Sequence, residues 1–274
     1  MTSGSTEAIG LFDSGIGGLT VLRTLYQEFP NENFIYLGDT ARLPYGTKSP
    51  ETIEKYLLQN IEFLKKTNVK AIVVACNSAS TVLLDPSLAV RAAFTIPIYN
   101  VIQPGASLAV KLSESKRIGV LGTSATVRAS AYLRAITAEN AEAKVFQQAC
   151  PLLVPLVEEG LEDDPITNLI LYRYLTPVLQ NQIDTLILGC THYPALSSGI
   201  RKVVGPNVQL VDSAQAVAEL LKADFKNGLL KTETKTSLAS RLRILATDDS
   251  PSFLISAQRL MVGVIIPSIE KVDL

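Results

Sequence analysis

The chain has little of what most catalytic and metal sites are built from. In 274 residues there is one histidine, His192, and there are three cysteines, Cys76, Cys150 and Cys190. An odd number at wide spacing excludes a disulfide framework. No CxxC pair exists, and Cys190 with His192 is the only close pair of soft ligands, so a zinc site lacks its donors and no metal is expected. Apolar runs stop at four to six residues, well short of a membrane span. The opening MTSGSTEAIG lacks a charged start followed by an apolar core, so no secretory signal is expected. Neither sign of charge dominates: 25 Lys and Arg face 26 Asp and Glu, leaving no electrostatic footprint for nucleic acid. With 47% hydrophobic and 19% charged residues there is no disorder signature either. What remains is a cytoplasmic α/β protein, long enough for one large domain or two small ones.

What is present is a regular alternation. Short apolar runs occur at Ile9–Phe12, Phe34–Leu37, Ala71–Ala75, Ile118–Leu121, Leu186–Gly189 and Val208–Val211. Several lack an apolar–polar alternation, which predicts strands buried on both faces, in parallel sheets with crossover helices. Between them ETIEKYLLQNIEFLKK and NLILYRYLTPVLQ repeat apolar residues at three and four, the signature of amphipathic helices. The chain also resembles itself. IGLFDSG at 9–15 matches IGVLGTS at 118–124, offset by 109, and AIVVACNSAS at 71–80 matches TLILGCTHYP at 185–194, offset by 114. Such similar offsets predict two pseudo-symmetric α/β lobes. The stretch after Asp212 falls outside the second repeat and reads as helix, loop, a strand near Leu242–Ala246 and another helix, packing back on the first lobe. The expected division is 1–100 with 211–274 for the first lobe and 101–210 for the second.

Cys76 and Cys190 each end a predicted strand immediately before a helix, the edge at which open parallel sheets bind ligands. The helix N–H groups there stabilise a thiolate. Asn77 and Ser78 are cap-type residues, and Pro194 suits a first helical turn. A lone cysteine in such a place is more often a small buried side chain, but two at equivalent repeat positions favour function. Cys150 has no such placement and reads as structural. FDSGIGGLT superficially follows the dinucleotide fingerprint, yet Thr20 stands where the third glycine belongs, so a nucleotide cofactor is poorly supported. The alternative is a tight turn bringing Asp13 and Ser14 to the sheet edge, with Asp13 reading equally well as a helix N-cap. The Pro-Tyr-Gly loop in GDTARLPYGTKS is either a clamp for a small polar ligand or an ordinary turn. GTSAT at 122–126 suits a carboxylate or simple capping. In VPLVEEG, Glu158 and Glu159 sit at a helix end, where acids oppose the dipole.

Two thiols on the edges of facing lobes can take a proton from one face of a carbon and return one to the other. One must be a thiolate while the other is a thiol. An ordinary cysteine, with pKa ~8.5, is only a few per cent thiolate at neutral pH, so each needs a helper. His192 can serve Cys190, and Asp13 can serve Cys76 if the first and third strands are neighbours.

As a set and in this order, FDSGIGGLTVL, YLGDTARLPYG, VVACNSAST, GVLGTSATV, VPLVEEG and LILGCTHYP resemble the bacterial glutamate racemases of the aspartate/glutamate racemase superfamily. The resemblance runs from Ile9 to about Asp212. It implies a cofactor-independent enzyme interconverting L- and D-glutamate for peptidoglycan, with the site in the cleft between two pseudo-symmetric lobes. It also implies that Cys76 and Cys190 are the bases for opposite faces, the first acting on D-glutamate. Asp13 then assists Cys76, His192 stands beside Cys190, and Glu158, or Glu159, lies near that histidine. Substrate contacts fall on Asp13, Ser14, Tyr45, Gly46, Asn77, Ser78, Thr191 and His192, with Thr123 and Thr126 near the carboxylates. Ser78 replaces the threonine of many relatives but keeps the hydroxyl.

Partners reduce to the small-molecule substrate, with no nucleic acid and no membrane, and a homodimer is left open. Four other readings compete. One is a racemase for aspartate or another acidic amino acid: the Pro-Tyr-Gly loop and CTHYP fit glutamate better, but cleft shape decides substrate length. A hydrolase using Cys190 and His192 needs one thiol. A binding protein on the same fold needs neither. A redox dithiol requires the two sulfurs to come within bonding distance.

Overall fold

The computed structural model describes residues 7–85, 94, 96–232, 241–248 and 250–274. The first part runs β1 (Ala8–Asp13), α1 (Leu19–Glu28), β2 (Asn33–Gly38), α2 (Pro50–Lys65), β3 (Val69–Val74), α3 (Asn77–Leu83) and β4 (Ile98–Asn100). It is followed by α4 (Ile102–Leu112), β5 (Arg117–Gly122), α5 (Ser124–Arg128), α6 (Ala131–Glu139), β6 (Lys144–Ala149) and α7 (Leu153–Glu158). Then come α8 (Pro165–Leu179), β7 (Thr185–Gly189), α9 (Ser197–Val204) and β8 (Gln209–Asp212). The tail adds α10 (Ser213–Lys226), β9 (Leu242–Ala246), α11 (Pro251–Leu260) and β10 (Ile269–Lys271).

These strands form a six-stranded sheet, β10-β9-β2-β1-β3-β4, and a four-stranded sheet, β6-β5-β7-β8. Every pairing is parallel. Without β9 and β10 the two orders correspond strand for strand, β1 with β5 and β3 with β7. These are the pairs that the internal sequence match predicts. The fold is thus α/β, two pseudo-symmetric parallel sheets flanked by helices. β9 occupies the expected tail strand and pairs with β2 in the larger sheet; the loop before it lies largely outside the described residues.

Unbroken apolar strands result because each sheet is covered on both faces. Along β1, Ile9 and Leu11 join a core under α1, α10 and α11, while Ala8 and Phe12 join another under α2 and α3. β5 repeats this: Leu121 packs with α7 and α8, and Ile118 and Val120 with α4 and α6. Each fully buried Leu or Ile contributes roughly 1.5–3 kcal/mol. Helix α2 shows how local sequence assists. The Ser49 hydroxyl caps the Thr52 N–H, Pro50 opens the first turn, and Glu51 and Lys65 complement the dipole. Its buried Ile53, Leu57, Ile61 and Leu64 form one helical stripe.

Three strands lie outside the expected set. β4 and β10 are three residues each, too short to show a pattern, and β6 reads KVFQQA, whose two glutamines hide it. A further difference concerns Cys190. Cys76 directly precedes α3, but a 3-10 turn at Tyr193–Leu196 separates Cys190 from α9. Among the described residues no helix is long and apolar enough to cross a membrane.

Candidate active site

The carboxyl edges of β1 and β3 lie side by side, with Phe12 level with Val74, so the residues after each strand meet. Asp13 ends β1 and Cys76 follows β3, which satisfies the condition for an Asp13–Cys76 partnership. Asp13 is fully buried beneath the glycine turn, and its Oδ2 accepts the Gly15 N–H at 3.0 Å. Helix α1 starts without a side-chain cap, so Asp13 organises the turn and does not cap the helix. Burial raises its pKa, opposed by His192, the Gly15 and Gly18 amides and Thr191. The Cys76 thiol donates to Ser14 Oγ at 3.5 Å. Burial first, and then the charge of Asp13, push that thiol up to about 12, against the Ser14 hydroxyl and the Ala79 amide.

β7 delivers the other half. Cys190 Sγ lies 3.8 Å from His192 Nδ1, and His192 Nε2 lies 3.1 Å from Glu158 Oε1 at the end of α7. Glu158, and not the exposed Glu159, therefore meets the histidine. Burial alone would lower the imidazole, but its hydrogen bonds to Cys190 and Glu158, and their charges, raise it to about 10. Cys190 and Glu158 thus favour the protonated ring, which can balance negative charge beside Cys190.

The halves interlock. Thr191 Oγ1 donates to Asp13 Oδ1 at 3.4 Å, and Thr20 Oγ1 donates to the Thr191 carbonyl at 2.9 Å. Gly17 makes this approach possible: a Cβ there would stand 2.3 Å from Thr191 Oγ1 and 2.4 Å from His192 Nδ1. Elsewhere the Ser78 and Thr123 hydroxyls meet at 2.9 Å.

Between the two sheet edges is a cavity of about 240 Å³. Cys76 and Cys190 both line it, with Ser14, Tyr45, Gly46, Asn77, Ser78, Thr123, Glu158, Thr191 and His192. Asp13 and Thr126 do not. Asp13 lies behind Gly15, and Thr126 is fully buried, 3.0 Å from the Thr123 hydroxyl, which also caps the Thr126 amide. All three cysteines are free thiols, and Cys150 lies outside the cavity lining. A larger hollow of about 870 Å³ beside β4 and α4 brings together no cysteine, histidine or aspartate among the described residues.

Sequence reasoning missed the supports. Tyr45 is buried and held by Asp39, which also takes a bidentate contact from Arg42. Asp39 stands in a quoted motif and was within reach. Tyr132 on α6 was not: its hydroxyl donates to Asn77 Oδ1 at 2.8 Å and meets Ser213 Oγ at 3.2 Å. Asn77 lines the cavity, and among the described residues its buried Nδ2 has no hydrogen-bond partner.

Residues 17–221 match the Asp/Glu/Hydantoin racemase family. A glutamate racemase from Chlorobaculum tepidum is 44% identical over 274 residues, covering 98% of this chain and 97% of its own. The crystal structure of the Bacillus anthracis glutamate racemase isoform RacE1 has a TM-score of 0.89 at 37% identity, with 98% of each chain covered. That of the Francisella tularensis glutamate racemase in complex with D-glutamate has a TM-score of 0.87 at 38% identity, again with 98% of each chain covered. With its duplicated sheets, paired thiols and near full-length similarity, the chain belongs to the glutamate racemases of the Asp/Glu/Hydantoin racemase family.

Proposed function

We propose that this protein interconverts L- and D-glutamate by a two-base mechanism in which Cys76 and Cys190 serve opposite faces of the α-carbon. The observation that carries the reading is that both thiols line one small cavity, each with its own ionisable helper. For L-glutamate, the Cys190 thiolate takes the α-proton, forming S–H as the C–H bond breaks. The electron pair left on carbon spreads into the α-carboxylate. The Cys76 S–H then gives its proton to the opposite face, leaving a Cys76 thiolate and D-glutamate; the reverse reaction exchanges the roles. Imidazolium at His192 balances charge at Cys190; for D-glutamate, Asp13 first accepts the Cys76 proton, so that Cys76 starts as the thiolate that takes the α-proton. General acid–base help of this kind contributes ~10²–10⁴-fold.

The unpartnered Asn77 amide and the Ser78, Thr123 and Thr191 hydroxyls are the donors for the substrate carboxylates. Ser14, Tyr45 and Gly46 close the other wall, and Thr126 acts through Thr123. Helices on both faces of each sheet support the lobe division 1–100 with 211–274 and 101–210. Kinship with bacterial glutamate racemases supports a role in supplying D-glutamate for peptidoglycan in the cytoplasm.

The test is proton NMR in D2O with L-glutamate, for the wild type, Cys76→Ser and Cys190→Ser, with circular dichroism followed in parallel. Wild type should lose the α-proton signal and the optical signal, and each variant should be crippled. Sustained racemisation by either variant would defeat the two-base reading, and turnover of aspartate alone would move the substrate.

A further inference from the structure

We propose that Arg259, on the tail helix α11, is a positioning residue that holds Glu158 against His192. The inference rests on the two-base reading above. Helix α11 is mounted on the six-stranded sheet: Phe253, Ala257 and Leu260 are buried in its core. Arg259 points away from that core to the other half of the molecule. Its Nη2 donates to the carbonyls of Val157 at 2.7 Å and Glu158 at 3.2 Å, the last residues of α7.

A second observation is independent of those bonds. Gly160, just beyond α7, has φ +74°, and a Cβ there would stand 2.1 Å from Arg259 Nη1. The missing side chain at Gly160 leaves the space that the guanidinium occupies, and glycine adopts the positive φ without strain. Glu162 Oε1 lies 3.5 Å from Nε and adds charge attraction. The end of α7 combines the negative end of the helix dipole with Glu158, Glu159 and Glu162, an arrangement that favours a cation. The Val157 carbonyl accepts the Gly160 N–H at 3.1 Å as well as Arg259. Arg259 supplies that cation: one nitrogen, Nη2, donates to both carbonyls, while Nη1 occupies the space over Gly160. Because the anchor comes from the other sheet's helix layer, it also fixes α7 relative to the Asp13–Cys76 half. Its side chain is 35% exposed beside a cavity of about 350 Å³, so a small cation can reach the slot it leaves.

The experiment compares wild type, Arg259→Ala, Arg259→Lys and Glu158→Gln in glutamate racemisation and in NMR titration of the single imidazole. Arg259→Ala should lower kcat about 10- to 100-fold, with KM changed much less, as loss of a charged hydrogen-bonded anchor predicts. It should also move the His192 midpoint downward, because Glu158 is released. Arg259→Lys should recover part of kcat, and added guanidinium at non-denaturing concentration should restore Arg259→Ala but not Glu158→Gln. A folded Arg259→Ala with wild-type kcat and an unmoved imidazole midpoint overturns the inference, even if its melting temperature falls. Should that variant not fold, Arg259→Lys decides alone by the same two readouts. If wild type itself fails to racemise glutamate, the functional reading fails and the imidazole titration still tests the Arg259–Glu158 link.

Discussion

The Tyr132 hydroxyl on α6 donates to Asn77 Oδ1 at 2.8 Å, joining a helix of one sheet to the start of α3 on the other. Because Oδ1 accepts this bond, Nδ2 is left, among the described residues, as a donor without a partner on a residue that lines the cavity. Tyr132→Phe removes the anchor without removing bulk and lets the amide rotate. The expected result is a KM for glutamate raised about tenfold, from a buried hydrogen bond of roughly 1–3 kcal/mol, with kcat changed less. A double-mutant cycle with Asn77→Ala in steady-state kinetics should be non-additive; simple additivity would sink the coupling.

His192 is the chain's one histidine, so its imidazole resonances are unambiguous. Its folded pKa of about 10 lies above the ordinary 6.5. The stability that the protonated ring contributes is therefore complete below pH 6.5 and is lost as pH rises through about 10. NMR titration should show no imidazole midpoint between pH 6 and 8. Glu158→Gln should move the midpoint toward neutrality and narrow the alkaline limb of kcat/KM. A wild-type midpoint near 6.5 would dismiss the imidazolium from the mechanism.

Asp13 affects Cys76 in two opposing ways. Its charge helps to raise the thiol pKa, second to burial, so Asp13→Asn should let Cys76 ionise at lower pH. Alkylation of Cys76, located by mass spectrometry, should accordingly begin at lower pH in the variant. Racemisation should nevertheless fall about 10²–10⁴-fold, because the proton relay is gone. Parallel changes in alkylation and turnover would contradict this separation of roles.

Cys150 is as buried as the paired thiols but outside the cavity lining. Cys150→Ala should keep wild-type kcat and KM while lowering the melting temperature slightly, at a cost of about 1 kcal/mol for a small buried side chain. A drop in kcat of the size seen for Cys76→Ser or Cys190→Ser would bring Cys150 into the chemistry.

The strand-and-turn units are legible locally in the chain. β1 with its Asp13 turn, β3 with Cys76 and β7 with Cys190 are each written in fewer than a dozen consecutive residues, because a buried parallel strand followed by a tight turn is a local pattern. The self-match of these units told which strands correspond. It could not show β4, β6 or β10, where three residues or a pair of glutamines carry no pattern, nor the 3-10 turn after Cys190. Tertiary structure alone decided how the halves meet. Thr191 reaches Asp13 across 178 residues of chain, Tyr132 reaches Asn77 across 55, and Arg259 reaches Val157 across 102. Glu158 and Glu159 are equivalent in sequence, yet only the helix phase of α7 turns one toward His192. Such choices depend on packing two sheets' helix layers against each other, and no local propensity encodes a contact whose partner is a hundred residues away.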